Sequence, residues 1–534
     1  MTSLTKKQRY LLSLLSGILM VISFPYTGSL IPLVFLAWIP LLLVENSILE
    51  ANYRSGKVFI QSYITFFIFN IGSTWWVYNA SGGGAALAIV LNSLLMTLTF
   101  QAYHLTKKHV GRKEGYISLI VFWIAFEYFH HNWEMSWTWL SMGNYFSLVP
   151  SWVQWYSYTG ILGGTLWILV VNLMLYRIVQ NRFFRKETWR IQTPLLWLTG
   201  IFLLLPIGIS LLTYYTFEEE KHPYEVVALQ PNIDPYNEKF VADIGSQLTK
   251  LVRLADQQVT STTDLLVAPE TAISLSFYEK DLTRLAFFDY IEQEKKRLYD
   301  VPWLIGASTV KMFNTKHSRA SFPMASGPGF VEYYNSSLLL PEDNLPQFTH
   351  KSKLVPGVEI IPFSNYFPFL EDWAIDNGGT SVSLGIESEP KIMAAGKVRI
   401  APVVCYESVY GDWVSGQCRK GAELICVITN DGWWGDTPGY KQHMSFSRLR
   451  AIENRRWVVR SANTGISCFI NQRGDVLQAT GWWVEASIKQ EVNLNSNMTF
   501  YTQYGDVLGR SLGFLSVILL LFTFVKRFKK KYIR

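Results

Sequence analysis

The chain has 534 residues; 49% are hydrophobic, 15% aromatic and 17% charged. It is too long for one ordinary domain, and its charged fraction is lean for a wholly soluble protein. Its four cysteines, Cys405, Cys418, Cys426 and Cys468, form no C-x-x-C pair. That argues against a zinc site or a disulfide framework and leaves room for one disulfide among the last three.

A short basic start (Lys6, Lys7, Arg9) leads into a nearly wholly apolar stretch, Tyr10 to Phe24. No small-x-small cleavage site follows, since Phe24-Pro25-Tyr26 is bulky, so a removable signal peptide is a poor reading. Further apolar runs follow at roughly 30–45, 58–77, 85–104, 115–129, 159–177 and 193–214. Several are long enough for a helix to cross the hydrocarbon core of a bilayer, and together they predict seven transmembrane helices. An eighth run, about 508–525, ends in the basic stop Lys526-Arg527-Phe528-Lys529-Lys530-Lys531.

The net charge of +7 could in principle serve nucleic acid or an anionic surface. With the N-terminus taken as cytoplasmic, the inner segments hold Arg54 and Lys57, then Lys107, Lys108, Arg112 and Lys113, then Arg177, Arg182, Arg185, Lys186 and Arg190. The outer loops, about 25–30, 78–84 and 130–158, hold no Lys or Arg. This positive-inside asymmetry makes the excess charge a topology signal and removes the case for nucleic acid. Both termini are expected in the cytoplasm. The outer loop 130–158 is rich in Trp and Tyr (Trp133, Trp137, Trp139, Tyr145, Trp152, Trp155, Tyr156, Tyr158), and reads as an interfacial belt or as a contact surface or lipid groove. Glu127 is the main charge within the runs, which gives an ion pathway little support.

Between Phe217 and Asp506 the composition becomes that of a soluble domain of about 290 residues, tethered to the membrane at both ends. Short apolar strands are predicted at 226–230, 265–268, 303–306, 336–340, 398–404, 424–429 and 457–461, with helices near 236–260 and 440–455. A hairpin is predicted from 466–471 and 475–479. The alternation argues an α/β domain, and the late hairpin a mixed sheet. The expected domains are 1–215 (seven transmembrane helices), 216–506 (extracytoplasmic domain) and 507–534 (eighth helix and basic tail).

Three stretches share one form, an apolar strand that ends on a reactive side chain: Leu266-Val267-Ala268-Pro269-Glu270-Thr271, Lys351-Ser352-Lys353-Leu354-Val355-Pro356-Gly357-Val358-Glu359, and Val403-Val404-Cys405-Tyr406-Glu407-Ser408. A thiol at a strand-to-turn junction can be held rigidly yet exposed on one side, as a nucleophile requires. A carboxylate after a buried strand can have its pKa raised by desolvation and act as a general base. A lysine beside the thiol would stabilise the thiolate and a later oxyanion. Lys351 and Lys353 lie two apart and would share one face of a strand, so spacing alone does not choose between them.

Together these stretches resemble the Glu-Lys-Cys triad of the nitrilase (carbon–nitrogen hydrolase) superfamily. Ala228-Leu229-Gln230-Pro231-Asn232, Asn430-Asp431-Gly432-Trp433-Trp434-Gly435-Asp436 and Arg460-Ser461-Ala462-Asn463-Thr464-Gly465 agree with it. With transmembrane helices before and after, nearly the whole chain, including Tyr501-Thr502-Gln503-Tyr504-Gly505-Asp506, resembles the superfamily's membrane branch, the apolipoprotein N-acyltransferases. The resemblance implies an αββα sandwich beside eight transmembrane helices. It implies Cys405 as nucleophile, Glu270 as general base and, by the register Lys-x-x-Leu-Val-Pro, Lys351 rather than Lys353 as the third member. Glu359, the Tyr406 backbone N–H and Glu407 are the implied supporting groups. Departures from the family pattern are Gly357-Val358 for Phe-Gly, Gly432-Trp433-Trp434 for Ala-Trp-Phe, and Ser274 for a proline; they bear on substrate fit more than on chemistry.

The implied reaction moves an acyl chain from a membrane phospholipid to Cys405 as a thioester, and then to the α-amino group of the N-terminal diacylglyceryl-cysteine of an apolipoprotein. An amide is more stable than a thioester, so no nucleotide, other cofactor or metal is expected. The implied setting is a bacterial inner membrane, with the catalytic domain on the periplasmic side and the chain acting as a monomer. Aromatic stretches at Phe363–Phe369 and Ser274–Tyr278 are candidate lipid-facing lids. A membrane-anchored amidase acting on a small amide is the competing reading, but one helix would suffice to anchor it. A non-catalytic scaffold or transporter would not need the intact triad.

Overall fold

The computed structural model describes residues 4–325, 327–342, 345–364, 366–367 and 383–532, and they form two compact units. One comprises Met1–Trp75, Ala85–Thr216 and Asp506–Arg534; the other comprises Trp76–Gly84 and Phe217–Gly505.

The first unit is helical. Thr5 and Gln8 form a capping box that starts α1 (Lys6–Ser23). There follow α2 (Ile39–Glu50) and α3 (Gly56–Thr74), then the short α4 (Val77–Ala80), which belongs to the second unit. The series continues with α5 (Gly82–His109), α6 (Arg112–His130), α7 (Tyr156–Val179), α8 (Trp189–Thr216) and the C-terminal helix Val507–Tyr532. Among the described residues five stretches are long and apolar enough to cross a membrane: Ile31–Glu50, Gly82–His109, Tyr156–Phe184, Trp189–Thr216 and Val507–Lys529. The helices α1, α3 and α6 are not among those five: α1 opens on Lys6, Lys7 and Arg9, α6 opens on Arg112, Lys113 and Glu114 and carries Glu127, and α3 holds Gln61, Asn70 and several Ser and Thr residues. Polar groups also meet between helices and loops. Ser13 donates to Gln61 at 2.8 Å, Thr65 donates to the Ser13 carbonyl at 2.9 Å, and Glu127 accepts from Trp123, Met142 and Thr165. Small and polar residues at helix contacts are ordinary for packing within lipid.

Much of the aromatic loop 130–158 packs inward rather than forming a belt. Trp139, Tyr145 and Tyr156 are buried, and the hydroxyls of Tyr145 and Tyr156 donate to the carbonyls of Met20 and Gly143. Sequence reading sees amphipathic rings at an interface, whereas 3₁₀ turns at Thr138–Leu140 and Met142–Leu148 fold those rings into the core. Tyr158 remains exposed.

The second unit contains two mixed sheets. Its strands, in chain order, are β1 (Pro223–Gln230), β2 (Leu265–Val267), β3 (Ile273–Tyr278), β4 (Trp303–Phe313), β5 (Phe322–Pro323), β6 (Phe330–Leu340), β7 (Gln347–His350), β8 (Met393–Ala395), β9 (Val398–Val404), β10 (Leu424–Thr429), β11 (Val458–Ala462), β12 (Cys468–Ile470), β13 (Val476–Leu477) and β14 (Ala486–Asn493). The first sheet runs β14-β1-β2-β4-β6-β5, with β3 beside β4 and β7 beside β6; the second runs β13-β12-β11-β10-β9-β8. In the second, β9, β10 and β11 are parallel. The strand β10 is buried along its whole length, as its uninterrupted apolar run requires.

Between the sheets lies a core that includes Val226, Val267, Leu304 and Leu339 from one and Ile400, Cys426, Ile428 and Val459 from the other. The outer face of the first sheet packs on α9 (Ile244–Ala255) and α10 (Ala286–Arg297) through Leu248, Leu251 and Ile291. The outer face of the second packs on α11 (Gly411–Arg419) and α12 (Pro438–Asn454) through Val414, Cys418 and Met444. The layers are helix, sheet, sheet, helix. Cys405, Cys418, Cys426 and Cys468 are all free thiols, so there is no disulfide among them.

Candidate active site

Three strand ends converge. The strand β9 stops at Val404, and the chain enters a 3₁₀ turn, Cys405–Val409, through a Cys405 φ of 51°. A left-handed conformation at a residue other than glycine costs energy and is a mark of functional turns. Glu270 follows β2, where Gly306 of β4 lies against its backbone; a Cβ on Gly306 would come within 2.5 Å of the Glu270 Cα. Lys351 follows β7, and its main-chain N–H donates to the Asn335 carbonyl at 2.8 Å.

Glu270, Lys351, Glu359 and Cys405 line one pocket of about 200 Å³, together with Asn335 and Asn430. Lys351 is buried and its Nζ donates to Glu270 Oε1 at 3.2 Å and to Glu359 Oε1 at 2.8 Å. Asn335 Nδ2 donates to the same two carboxylates, at 2.7 and 3.3 Å. Glu270 Oε2 accepts the Asn430 N–H at 2.9 Å, and Glu359 Oε2 accepts the Val355 N–H at 2.8 Å. Lys353 points elsewhere: its Nζ lies 5.1 Å from the Tyr410 ring centre and 5.5 Å from that of Trp413. Of the two lysines the sequence offered, Lys351 is the one that meets Glu270.

Electrostatics differ from the simple desolvation picture. Burial pushes the Glu270 carboxyl up, but the charges of Lys351 and Lys239 and the Asn335 hydrogen bond outweigh it, leaving the group below the ordinary carboxylate range. Burial and then the Glu270 charge push the Cys405 thiol far above its ordinary value, against the pull of Lys351. Lys351 is held well above the ordinary lysine value; burial opposes this, but Glu270 and Glu359 prevail. These directions favour a protonated Cys405 thiol beside an ionised Glu270 and a charged Lys351. Glu407 is buried too, and burial raises its pKa to about 7. Its Oε2 accepts the Val404 N–H at 2.9 Å, and its Oε1 accepts the N–H groups of Ser352 at 2.8 Å and Lys353 at 3.4 Å.

Lys239 and Asn335 carry no sequence signal of their own, whereas Asn430, Trp433 and Trp434 lie in a stretch that carries part of the resemblance. Lys239 is buried and donates to the Glu270 carbonyl at 2.8 Å; burial lowers its pKa to about 8. Among the described residues Asn335 Oδ1 and Asn430 Nδ2 are buried without a hydrogen-bond partner, leaving one acceptor and one donor on the pocket wall. Part of that wall comes from the segment between α3 and α5. Ala80 lines the pocket beside Trp433 and Trp434, and Asn79 Nδ2 donates to the Trp434 carbonyl at 2.8 Å. Ser274–Tyr278 is not a separate lid: it lies in β3, paired with β4, with Ser274 and Ser276 on the pocket. Phe369 lies outside the described residues; within its segment Tyr366 and Phe367 are exposed. Among the described residues no cluster of His, Cys, Asp and Glu is arranged to hold a metal ion.

Two family descriptions match the chain: "Apolipoprotein N-acyltransferase N-terminal domain" over residues 16–174 and "Carbon-nitrogen hydrolase" over residues 226–497. The chain is similar to the apolipoprotein N-acyltransferase of Chlorobaculum tepidum, 31% identical over 529 residues and 97% of each chain. It is also similar to that of Geobacter metallireducens, 27% identical over 524 residues, 94% of this chain and 92% of the other.

Proposed function

Because the chain belongs to the apolipoprotein N-acyltransferase family, we propose that it transfers an acyl chain from a membrane phospholipid, through a thioester on Cys405, to the α-amino group of a diacylglyceryl-cysteine at the N-terminus of an apolipoprotein. The observation that carries the reading is the convergence of Cys405, Glu270 and Lys351 on one pocket.

The chemistry follows from the resting charges. With the thiol pKa high and the Glu270 pKa low, free thiolate is scarce, so proton transfer to Glu270 accompanies attack on the ester carbonyl. Lys351 and the Tyr406 N–H stabilise the tetrahedral oxyanion. Glu270 returns the proton to the departing lysophospholipid oxygen. The free amine then attacks the thioester, the C–S bond breaks, Glu270 takes the proton the nitrogen sheds and passes it to the departing sulfur, and the amide leaves with the thiol regenerated. Glu359 and Asn335 hold Lys351 and Glu270 in register for both half-reactions.

The eight apolar runs are proposed to span the bilayer, with the catalytic unit on the periplasmic side and both termini cytoplasmic; the positive-inside pattern supports this reading. The test of the donor half is direct. The purified chain is incubated with phospholipid labelled in its acyl chain. Hydroxylamine-sensitive label on the protein, absent in Cys405→Ala, is the expected result. No label, or label that persists in Cys405→Ala, overturns the reading.

A further inference from the structure

Behind the nucleophile turn lies a buried polar group that the reaction as described does not use. His443, on α12, is completely buried. Its Nε2 lies 3.1 Å from the Cys405 carbonyl oxygen and 2.9 Å from Ser408 Oγ, and Ser408 Oγ itself donates to the Cys405 carbonyl at 2.8 Å. A carbonyl oxygen only accepts, so Nε2 presents its N–H there. On the other side of the ring, Nδ1 lies 2.8 Å from Asp431 Oδ1 and 3.1 Å from Arg460 Nη2, and Arg460 also pairs with Asp431 Oδ2. Thr429 Oγ1 donates to Asp431 Oδ1 at 2.8 Å. Asp431 and Arg460 are themselves fully buried, so the ring is held from both sides.

The peptide between Cys405 and Tyr406 is trans, as all described peptides are, and a peptide unit is held close to a plane by resonance. In such a plane the carbonyl of one residue and the N–H of the next point in opposite directions. Whatever fixes the Cys405 carbonyl therefore also aims the Tyr406 N–H. The 3₁₀ turn Cys405–Val409 and the Ser408 hydroxyl act on the same plane, and His443 adds a rigid side-chain donor at the one residue of the turn, Cys405, that stands in the left-handed region with a φ of 51°.

We propose that His443, backed by Asp431 and Arg460 and assisted by Ser408, is a positioning residue that locks the Cys405–Tyr406 peptide plane and so aims the Tyr406 N–H at the oxyanion. This rests on the reading of Cys405 as nucleophile and Tyr406 N–H as oxyanion donor. It adds a second layer to the site: Glu270 and Lys351 manage the proton and charge, while a helix on the far side of the sheet sets the direction of a main-chain donor.

The test compares two reactions at the same sulfur, with the full chain in detergent. Acylation by p-nitrophenyl acetate passes through an oxyanion: the sulfur–carbonyl bond forms, the ester C–O bond breaks, p-nitrophenolate leaves and the thiol proton passes through Glu270 to water. Alkylation by iodoacetamide displaces iodide and forms no oxyanion. In His443→Ala, acylation should fall roughly 10- to 100-fold, short of the loss typical for deleting an oxyanion donor outright, while alkylation stays within about 3-fold. His443→Gln, whose amide N–H can replace the Nε2 donor, should recover most of the acylation rate, and Ser408→Ala should show a smaller loss of the same selective kind. Equal losses in both reactions, or acylation unchanged in His443→Ala, would overturn the proposal. Wild-type chain that reacts with p-nitrophenyl acetate but takes no label from phospholipid would instead contradict the proposed acyl donor, and the contrast between the two sulfur reactions would still decide the role of His443.

Discussion

Glu407 accepts the main-chain N–H of Ser352 at 2.8 Å, and Ser352 is the residue that follows Lys351. The same carboxylate accepts the Val404 N–H, just before Cys405. One buried side chain thus ties the nucleophile turn to the lysine segment. Glu407→Gln replaces an acceptor-only group by one with an amide that faces backbone donors. We expect a loss of about 1–3 kcal/mol in stability, from thermal unfolding, and a larger fall in thioester formation than that loss explains.

Exchange of the two lysines separates geometry from charge. Lys351→Ala should abolish thioester formation, because it removes the only ammonium seen to bridge Glu270 and Glu359 among the described residues. Lys353→Ala should keep acyl transfer within about tenfold of wild type, because it gives up cation–π contact with Tyr410 and Trp413 on a side away from the pocket. Labelling from phospholipid distinguishes them; the opposite ranking would contradict the assignment of Lys351.

The charge arrangement makes a prediction with opposite signs for two assays. The Glu270 charge raises the Cys405 pKa, and Lys351 lowers it. Neutralising the carboxylate in Glu270→Gln removes the first effect and leaves the second, so the thiol pKa falls. Alkylation by iodoacetamide at neutral pH should become faster, with its pH profile shifted to lower pH, while acyl transfer collapses for want of a base. Slower alkylation together with lost transfer would show that Glu270 organises the site rather than acting as the base.

Gly306 tests how strictly Glu270 is placed. The three atoms nearest its added Cβ would all be backbone, Glu270 Cα, Pro269 O and Thr271 N, each at 2.5 Å. Gly306→Ala must therefore push the Glu270 segment away. It should cost about 1–3 kcal/mol in thermal unfolding and reduce thioester formation, though it alters no side chain in the pocket.

What could be read from the sequence was local. An apolar run that ends abruptly on Glu270 or Cys405 reports a strand and its turn together, because the strand's burial and the turn's polarity are adjacent in the chain. Lys239, Asn335 and His443 reach the same centre from a loop, a strand interior and a distant helix, where no neighbouring pattern marks them. The direction of the Glu270 shift is not legible in the sequence for a related reason: burial is visible in a strand pattern, but two lysines closing on the carboxylate are a tertiary fact. Likewise, charges at the starts of α1 and α6 and polar residues along α3 leave five stretches rather than eight, among the described residues, long and apolar enough to cross a membrane.

The proposed reaction turns on a thioester that waits for an amine. The most direct measurement loads the chain with labelled acyl group from phospholipid, removes the donor lipid, and adds a peptide bearing an N-terminal diacylglyceryl-cysteine with a free α-amine. The label should leave Cys405 and appear on the peptide in a hydroxylamine-resistant linkage, and an N-acetylated peptide should receive none. Label that stays on the protein, or that appears only as free fatty acid while the peptide remains unlabelled, would contradict it.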